Sequence, residues 1–162
     1  DICFVPDGDY VSFIERYTGY KPVSGEYVFS DGKKAGEHSG IINYTIGQRK
    51  GLGVTFGKPV FVTDKDPLSN TVTLGDEAEL FRRTLFLRDF NLIIADELSG
   101  PMRVTAKSRY SAKEQSALLY PAENGIVRIE FDDSVRAPAK GQACVVYDGD
   151  IVVGGGVIAR AE

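Results

Sequence analysis

The chain has 162 residues, of which 43% are hydrophobic and 26% charged, enough for one larger domain or two small ones with a buried core. Its formal net charge is -4 and the deficit is even, with 10 Lys/Arg against 12 Asp/Glu in residues 1–83 and 9 against 11 in residues 84–162. Neither part is a basic module, so any nucleic-acid contact has to come from local clusters of cations.

Cys3 and Cys144 are the only cysteines and His38 the only histidine, which argues against a disulfide framework and a Cys/His metal quartet and fits a reducing cytoplasm. No metal site and no membrane association are expected, because no apolar run reaches spanning length and no signal peptide opens the chain. The single methionine is Met102. The chain therefore reads as a processed protein or as a piece of a longer one.

Ile2 to Val5 form a short apolar run closed by Pro6, Asp7 and Gly8, an extended segment ending in a turn. Asp9 has the chemistry of an N-cap, and Tyr10, Phe13, Ile14 and Tyr17 then recur at helical intervals until Gly19 ends the run. This predicts one short amphipathic helix with an aromatic face in the core. Gly25 to Ser30 meets Asp31-Gly32, a hairpin turn signal, with Lys33 and Lys34 opening the return strand. A second hairpin is expected from Val60–Thr63 and Thr71–Leu74, joined through Asp66-Pro67-Leu68-Ser69-Asn70. Glu77 to Phe81 reads as a helical turn, and the domain boundary is expected at Arg82-Arg83.

From Thr84 the pattern is strand after strand: Phe86 to Ile94, Met102 to Ser108, Ser116 to Tyr120, Gly125 to Phe131, Gln142 to Tyr147 and Ile151 to Ile158. Regular spacing and turn signals such as Asp148-Gly149-Asp150 suggest a closed barrel, since closure removes exposed sheet edges. The expected fold is mainly β: a small α+β central domain over residues 1–83, then a six-stranded antiparallel β-barrel over residues 84–162.

Between the two hairpins lies the densest stretch, Gly36-Glu37-His38-Ser39-Gly40-Ile41-Ile42-Asn43-Tyr44-Thr45-Ile46-Gly47-Gln48-Arg49-Lys50-Gly51-Leu52-Gly53. Its glycines are too frequent for a helix or strand and too regular for a linker, so it reads as a shaped loop. Gln48, Arg49 and Lys50 supply adjacent amide, guanidinium and ammonium donors suited to phosphate. The loop matches neither a Walker A pattern nor a dinucleotide fingerprint. Ser39 is placed to cap a helical turn through Ile42 and Tyr44. His38, lacking a paired carboxylate or cysteine cluster, is more often structural than catalytic. In the barrel, Arg103, Lys107 and Arg109 can share a face by period-two alternation, as an RNA contact or as a solvated face.

Several blocks together resemble the tRNA-specific 2-thiouridylases, which place sulfur on the wobble uridine of certain tRNAs. They are Asp1-Ile2-Cys3-Phe4 with Gly8-Asp9-Tyr10, the run Gly36 to Gly53, Asp64-Lys65-Asp66-Pro67, Ala106-Lys107-Ser108-Arg109-Tyr110, Phe131-Asp132, Arg136-Ala137-Pro138, Gly141-Gln142, and Tyr147-Asp148-Gly149-Asp150 with Gly154-Gly155-Gly156. The resemblance implies a three-part enzyme: an ATP-pyrophosphatase domain, a small central domain, and a carboxy-terminal barrel like those of translation factors. This chain matches the last two parts and carries no ATP loop of the Ser-Gly-Gly-x-Asp-Ser type.

By this resemblance Cys3 is the second catalytic cysteine, which carries sulfur as a persulfide, while Cys144 in a barrel strand is a core residue. ATP would be bound by the amino-terminal domain, no cofactor is expected in this chain, and the chain alone is expected to be inactive. The implied partners are tRNA and a sulfur-donor protein, with Gln48, Arg49, Lys50, Lys107 and Arg109 as expected tRNA contacts. A noncatalytic RNA-binding module and a protein-docking barrel remain the alternative readings.

Overall fold

The computed structural model describes residues 9–162. The chain divides into two compact units, the first ending at Glu77 and the second spanning Ala78–Glu162.

The first unit opens with helix α1, Tyr10–Thr18. Asp9 caps it, its carboxylate accepting from the Ser12 amide at 3.0 Å and the Ser12 hydroxyl at 2.7 Å, and Gly19 ends it in the left-handed conformation that a side chain disfavours. The aromatic face does not enter a core as expected. No residue of α1 is fully buried, Phe13 and Ile14 are half-buried, and Tyr17 stacks on Phe13 while remaining 82% exposed. The Tyr10 hydroxyl reaches away from the helix, donating to the Ile42 carbonyl at 2.7 Å.

Four strands follow: β1 (Gly25–Phe29), β2 (Lys34–His38), β3 (Phe61–Asp66) and β4 (Thr71–Gly75). Both expected hairpins form, β1 with β2 and β3 with β4. They join through a parallel pairing of β1 with β4, giving the order β2-β1-β4-β3. Local turn signals fix the hairpins but say nothing about a pairing between strands so far apart in sequence. Tyr27, Val62, Val72 and Leu74 are fully buried between the sheet and the segment that crosses it, joined by Ile41, Tyr44, Leu52 and Val60. Each fully buried aliphatic side chain contributes about 1.5–3 kcal/mol.

The second unit is a closed antiparallel barrel of β5 (Phe81–Leu92), β6 (Met102–Lys107), β7 (Gln115–Leu119), β8 (Val127–Arg136), β9 (Ala143–Asp148) and β10 (Ile151–Ala161) in the order β10-β5-β8-β7-β6-β9. A short 3-10 turn, Glu77–Leu80, leads into it. Alternation is visible along β6, where Val104 and Ala106 face inward while Arg103, Thr105 and Lys107 face outward. Leu85, Leu87, Ala117, Leu119, Ile129, Phe131, Cys144, Val146 and Val153 fill the interior with no exposed surface. Gly154 marks the tightest crossing, since a Cβ there would lie 2.4 Å from the Asn91 carbonyl oxygen, so only glycine lets β10 lie this close to β5.

The mainly β architecture with a six-stranded antiparallel barrel agrees with the expectation from sequence. Three strands of the barrel are longer than their patterns suggested, β10 running on to Ala161. β5 begins at Phe81, so Arg82 and Arg83 stand within it, and β8 continues through Asp132-Asp133-Ser134 to Arg136.

Candidate nucleic-acid interface

The stretch after β2 crosses its sheet as a single pinned path. Gly40 has φ 128°, and a Cβ there would lie 2.4 Å from the Pro22 Cβ, so this position requires glycine on both counts. It also takes the capping position expected of Ser39. The short 3-10 turn Ile41–Asn43 starts at Gly40 without a side-chain cap, whereas the Ser39 hydroxyl meets the Tyr44 hydroxyl at 3.4 Å and accepts from the Asn43 side-chain Nδ2 at 3.1 Å.

Beyond the turn, the Gly47 amide donates to Val62 O at 2.8 Å, the Val62 amide to Gln48 O at 2.9 Å and the Gln48 amide to Thr45 O at 2.9 Å. Gln48 closes the loop with its side chain as well, Oε1 accepting from the Thr45 amide at 3.0 Å and Nε2 donating to Lys50 O at 3.0 Å. The amides of Gly47 and Gln48, which a nucleotide-binding loop would turn toward phosphate, are thus engaged with protein carbonyls. Arg49 and Lys50 follow on the exposed tip between Gln48 and Gly51, two adjacent cations on a backbone held from both sides.

Two buried polar residues anchor this path. His38 is 3% exposed. Its Nδ1 accepts the Gly40 amide hydrogen at 3.1 Å, so the ring proton sits on Nε2, which faces Asn70 O at 3.1 Å. His38, Tyr27 and Tyr44 meet edge to face in a mutual cluster with centroids 5.4–5.6 Å apart, and burial holds the His38 pKa below its ordinary value. With both ring nitrogens engaged, His38 is a structural residue. Lys65 in β3 points its ammonium beneath the same path, donating to Tyr44 O at 2.7 Å and Ile41 O at 3.4 Å, and burial draws its pKa down. In the sequence Lys65 stands only as part of the block Asp64-Lys65-Asp66-Pro67, with no role of its own.

In the barrel, Lys107 lies on the outer wall, 3.3 Å from a Glu114 carboxylate oxygen and 5.6 Å from the centroid of the Tyr147 ring. Arg103 shares the outward side of β6 but makes a two-pronged pair with Asp132, at 2.8 and 2.6 Å. Arg109 lies past the end of β6 in the turn toward β7, where strand alternation no longer sets its direction. Its Nε is buried with no hydrogen-bond partner among the described residues. The connections at this end, 108–114 and 137–142, carry Arg109, Lys113 and Lys140 against Glu114, while the turn leading into β5 and the residue after β10 add Glu79 and Glu162.

Cys144 faces the barrel interior with no exposed surface, and burial pushes its thiol pKa up to about 12, as befits a core residue. Cys3 lies outside the described residues. Among those residues, no three His, Cys, Asp or Glu side chains are grouped to hold a metal ion, and no helix is long and apolar enough to cross a membrane.

The two units correspond to two family models. Residues 11–76 match a tRNA methyl transferase PRC-barrel domain, and residues 82–158 match an aminomethyltransferase β-barrel domain. Over 161 residues, 99% of its length, the chain is 48% identical to the tRNA-specific 2-thiouridylase MnmA of Clostridioides difficile. The chain belongs to the tRNA-specific 2-thiouridylase family. It is similarly 53% identical to the MnmA of Acetivibrio thermocellus and 48% identical to that of Clostridium perfringens, over 98% of its length in each case. It covers 44–45% of these thiouridylases, so it spans a little under half the length of the curated relatives it matches.

Proposed function

We propose that this chain is the central and carboxy-terminal part of a tRNA-uridine 2-sulfurtransferase, with the central domain and the barrel as separate tRNA-facing modules. The observation that carries the reading is the pinned tip of the first unit in a chain so similar to thiouridylases. Arg49 and Lys50 are exposed there, while Gln48, Gly47 and Lys65 hold the loop beneath them. A preformed loop pays little ordering entropy on binding, and paired cations suit consecutive phosphates. Gln48 has a second amide hydrogen beyond the one given to Lys50 O, which leaves it a donor for RNA. Lys107 and Arg109 supply the barrel's phosphate contacts.

The chemistry assigned to the chain is sulfur transfer through Cys3. ATP, held by an amino-terminal domain, activates the uridine oxygen as an adenylate with release of pyrophosphate. The terminal sulfur of a Cys3 persulfide, loaded by a sulfur-donor protein, attacks the activated carbon, and AMP leaves. A thiolate elsewhere in the enzyme then attacks Cys3 Sγ, forming a disulfide and leaving the thiocarbonyl on the base. Cys144 is unsuited to that resolving role, because its thiol is enclosed and its pKa lies far above neutrality. In this reading the protein works in the cytoplasm, and the chain without its ATP domain is inactive.

The test uses the full-length enzyme. Arg49→Ala with Lys50→Ala should weaken tRNA binding and lower the slope of log affinity against log salt by about 0.7–0.9 for each phosphate that is no longer neutralised. Cys3→Ser should abolish thiolation while leaving tRNA affinity intact. Unchanged affinity and slope in the first variant, or normal thiolation in the second, would overturn the corresponding assignment.

A further inference from the structure

The two ends of the barrel differ in charge. At one end, β5, β7 and β9 finish and β6, β8 and β10 begin, which gathers the loops 93–101, 120–126 and 149–150. With Asp148 at the edge, these segments carry Asp96, Glu97, Glu123, Asp148 and Asp150 and not one lysine or arginine. Of the nearest cations, on the strand walls, Arg88 is paired with Asp89 and Arg103 with Asp132, while Arg128 lies over the Tyr120 ring and keeps its charge.

The same end exposes apolar surface. The Ile93 amide donates to Val153 O at 2.9 Å, which sets Ile93 and Ile94 beside the start of β10. There Ile93 is 60% exposed, Ile94 44%, Ile151 60% and Val152 40%. Beside them opens a cavity of about 350 Å3, walled by Phe90, Leu92, Leu98 and Val127 with Asp96 and Glu97 at its rim. Its volume suits one or two large apolar side chains, and contiguous exposed apolar surface beside a polar rim marks an interaction site.

We propose that this acidic end of the barrel docks a segment of a separate protein that carries a large apolar side chain flanked by lysines or arginines. The apolar side chain enters the cavity between Leu98 and Val127, and the cations meet Asp96 and Glu97. Charge decides the partner class. Five carboxylates with one exposed guanidinium beside them, Arg128, repel a polyanion and attract a basic chain, so this end suits a basic protein segment rather than RNA. The barrel is closed, so recognition rests on side chains rather than on an added strand.

The test is fluorescence anisotropy on the whole chain at low salt, with a labelled peptide of Leu-Phe flanked on each side by Lys-Lys. Saturable binding is expected, weakened about tenfold by Asp96→Asn with Glu97→Gln and weakened again by added salt. Ile94→Ser should also weaken it, and a Glu-flanked peptide should not bind. Asp96, Glu97 and Ile94 are exposed, so these substitutions leave the core packing in place, which amide-exchange protection of β5 and β10 would verify. Absent binding, or equal affinity for the wild-type chain and the Asp96→Asn, Glu97→Gln variant, overturns the proposal. So does concentration-dependent self-association abolished by Ile93→Ser, which makes the occupant a second copy, or protection of loops 93–101 and 120–126 by tRNA.

Discussion

His38 Nε2 donates to the carbonyl oxygen of Asn70 at 3.1 Å, which ties the end of β2 to the turn between β3 and β4 across the sheet. The second tie of this ring requires it neutral, since Nδ1 accepts the Gly40 amide hydrogen and can do so only without a proton of its own. Burial is the larger influence on His38 and holds its pKa below 6.5, against a smaller upward pull from the Asn70 carbonyl. As pH falls below about 6.5, the unfolded chain takes up a proton that the folded chain refuses, so this contribution to stability is present above that pH and lost on acidification toward the folded pKa. As His38 is the only histidine, its ring resonances titrate alone in a proton NMR spectrum. They should report a midpoint below the free value, and His38→Gln should flatten the acid side of the stability profile. A midpoint at or above the free value would contradict the buried neutral ring.

Lys65 should be costly to remove despite its place between two aspartates. Its ammonium satisfies the carbonyls of Tyr44 and Ile41, and Lys65→Met leaves both without that partner, at about 1–3 kcal/mol. Urea unfolding should show that loss, and hydrogen exchange should quicken at the amides of Gly47 and Gln48. A variant as stable as the parent would mean that water replaces the ammonium freely.

Cys144 should resist alkylation in the native chain. Its thiol is wholly enclosed and its pKa is pushed up to about 12, so the thiolate is scarce and the sulfur unreachable. Iodoacetamide labelling followed by mass mapping should leave the Cys144 peptide unmodified under native conditions and label it once denaturant is added. Prompt native labelling would show that the barrel opens locally far more often than its packing implies.

Much of this architecture was written in local signals. Asp9 and Gly19 bracket α1, Asp31-Gly32 turns the first hairpin, and alternating burial along six segments gives the barrel. What escaped depends on partners distant in sequence. The strand pattern read from Phe86 onward did not include Arg82 and Arg83, which lie within β5, and Arg83 is held there by a partner far along the chain, the Phe131 carbonyl at 3.0 Å. Tyr17 followed the helical period but has no opposing surface among the described residues to bury it. Gln48 was read as a donor for ligand, and the fold gives it the second task of bridging Thr45 to Lys50. The acidic end of the barrel was invisible for a simpler reason: its carboxylates come from segments far apart in the chain, each unremarkable alone.

The seam between β5 and β10 joins the first strand of the barrel to the last, with Leu85 opposite Ala161 and the Glu162 backbone exchanging hydrogen bonds with Thr84. On the ribosome, β5 emerges long before its partner exists. Until β10 has left the exit tunnel, the barrel has an unpaired edge on β5 and an open interior. Closure is therefore the last event of synthesis for this unit, and the glycines at 154–156 that let β10 lie close also decide whether the waiting edge is sealed by its own chain or by a neighbour's.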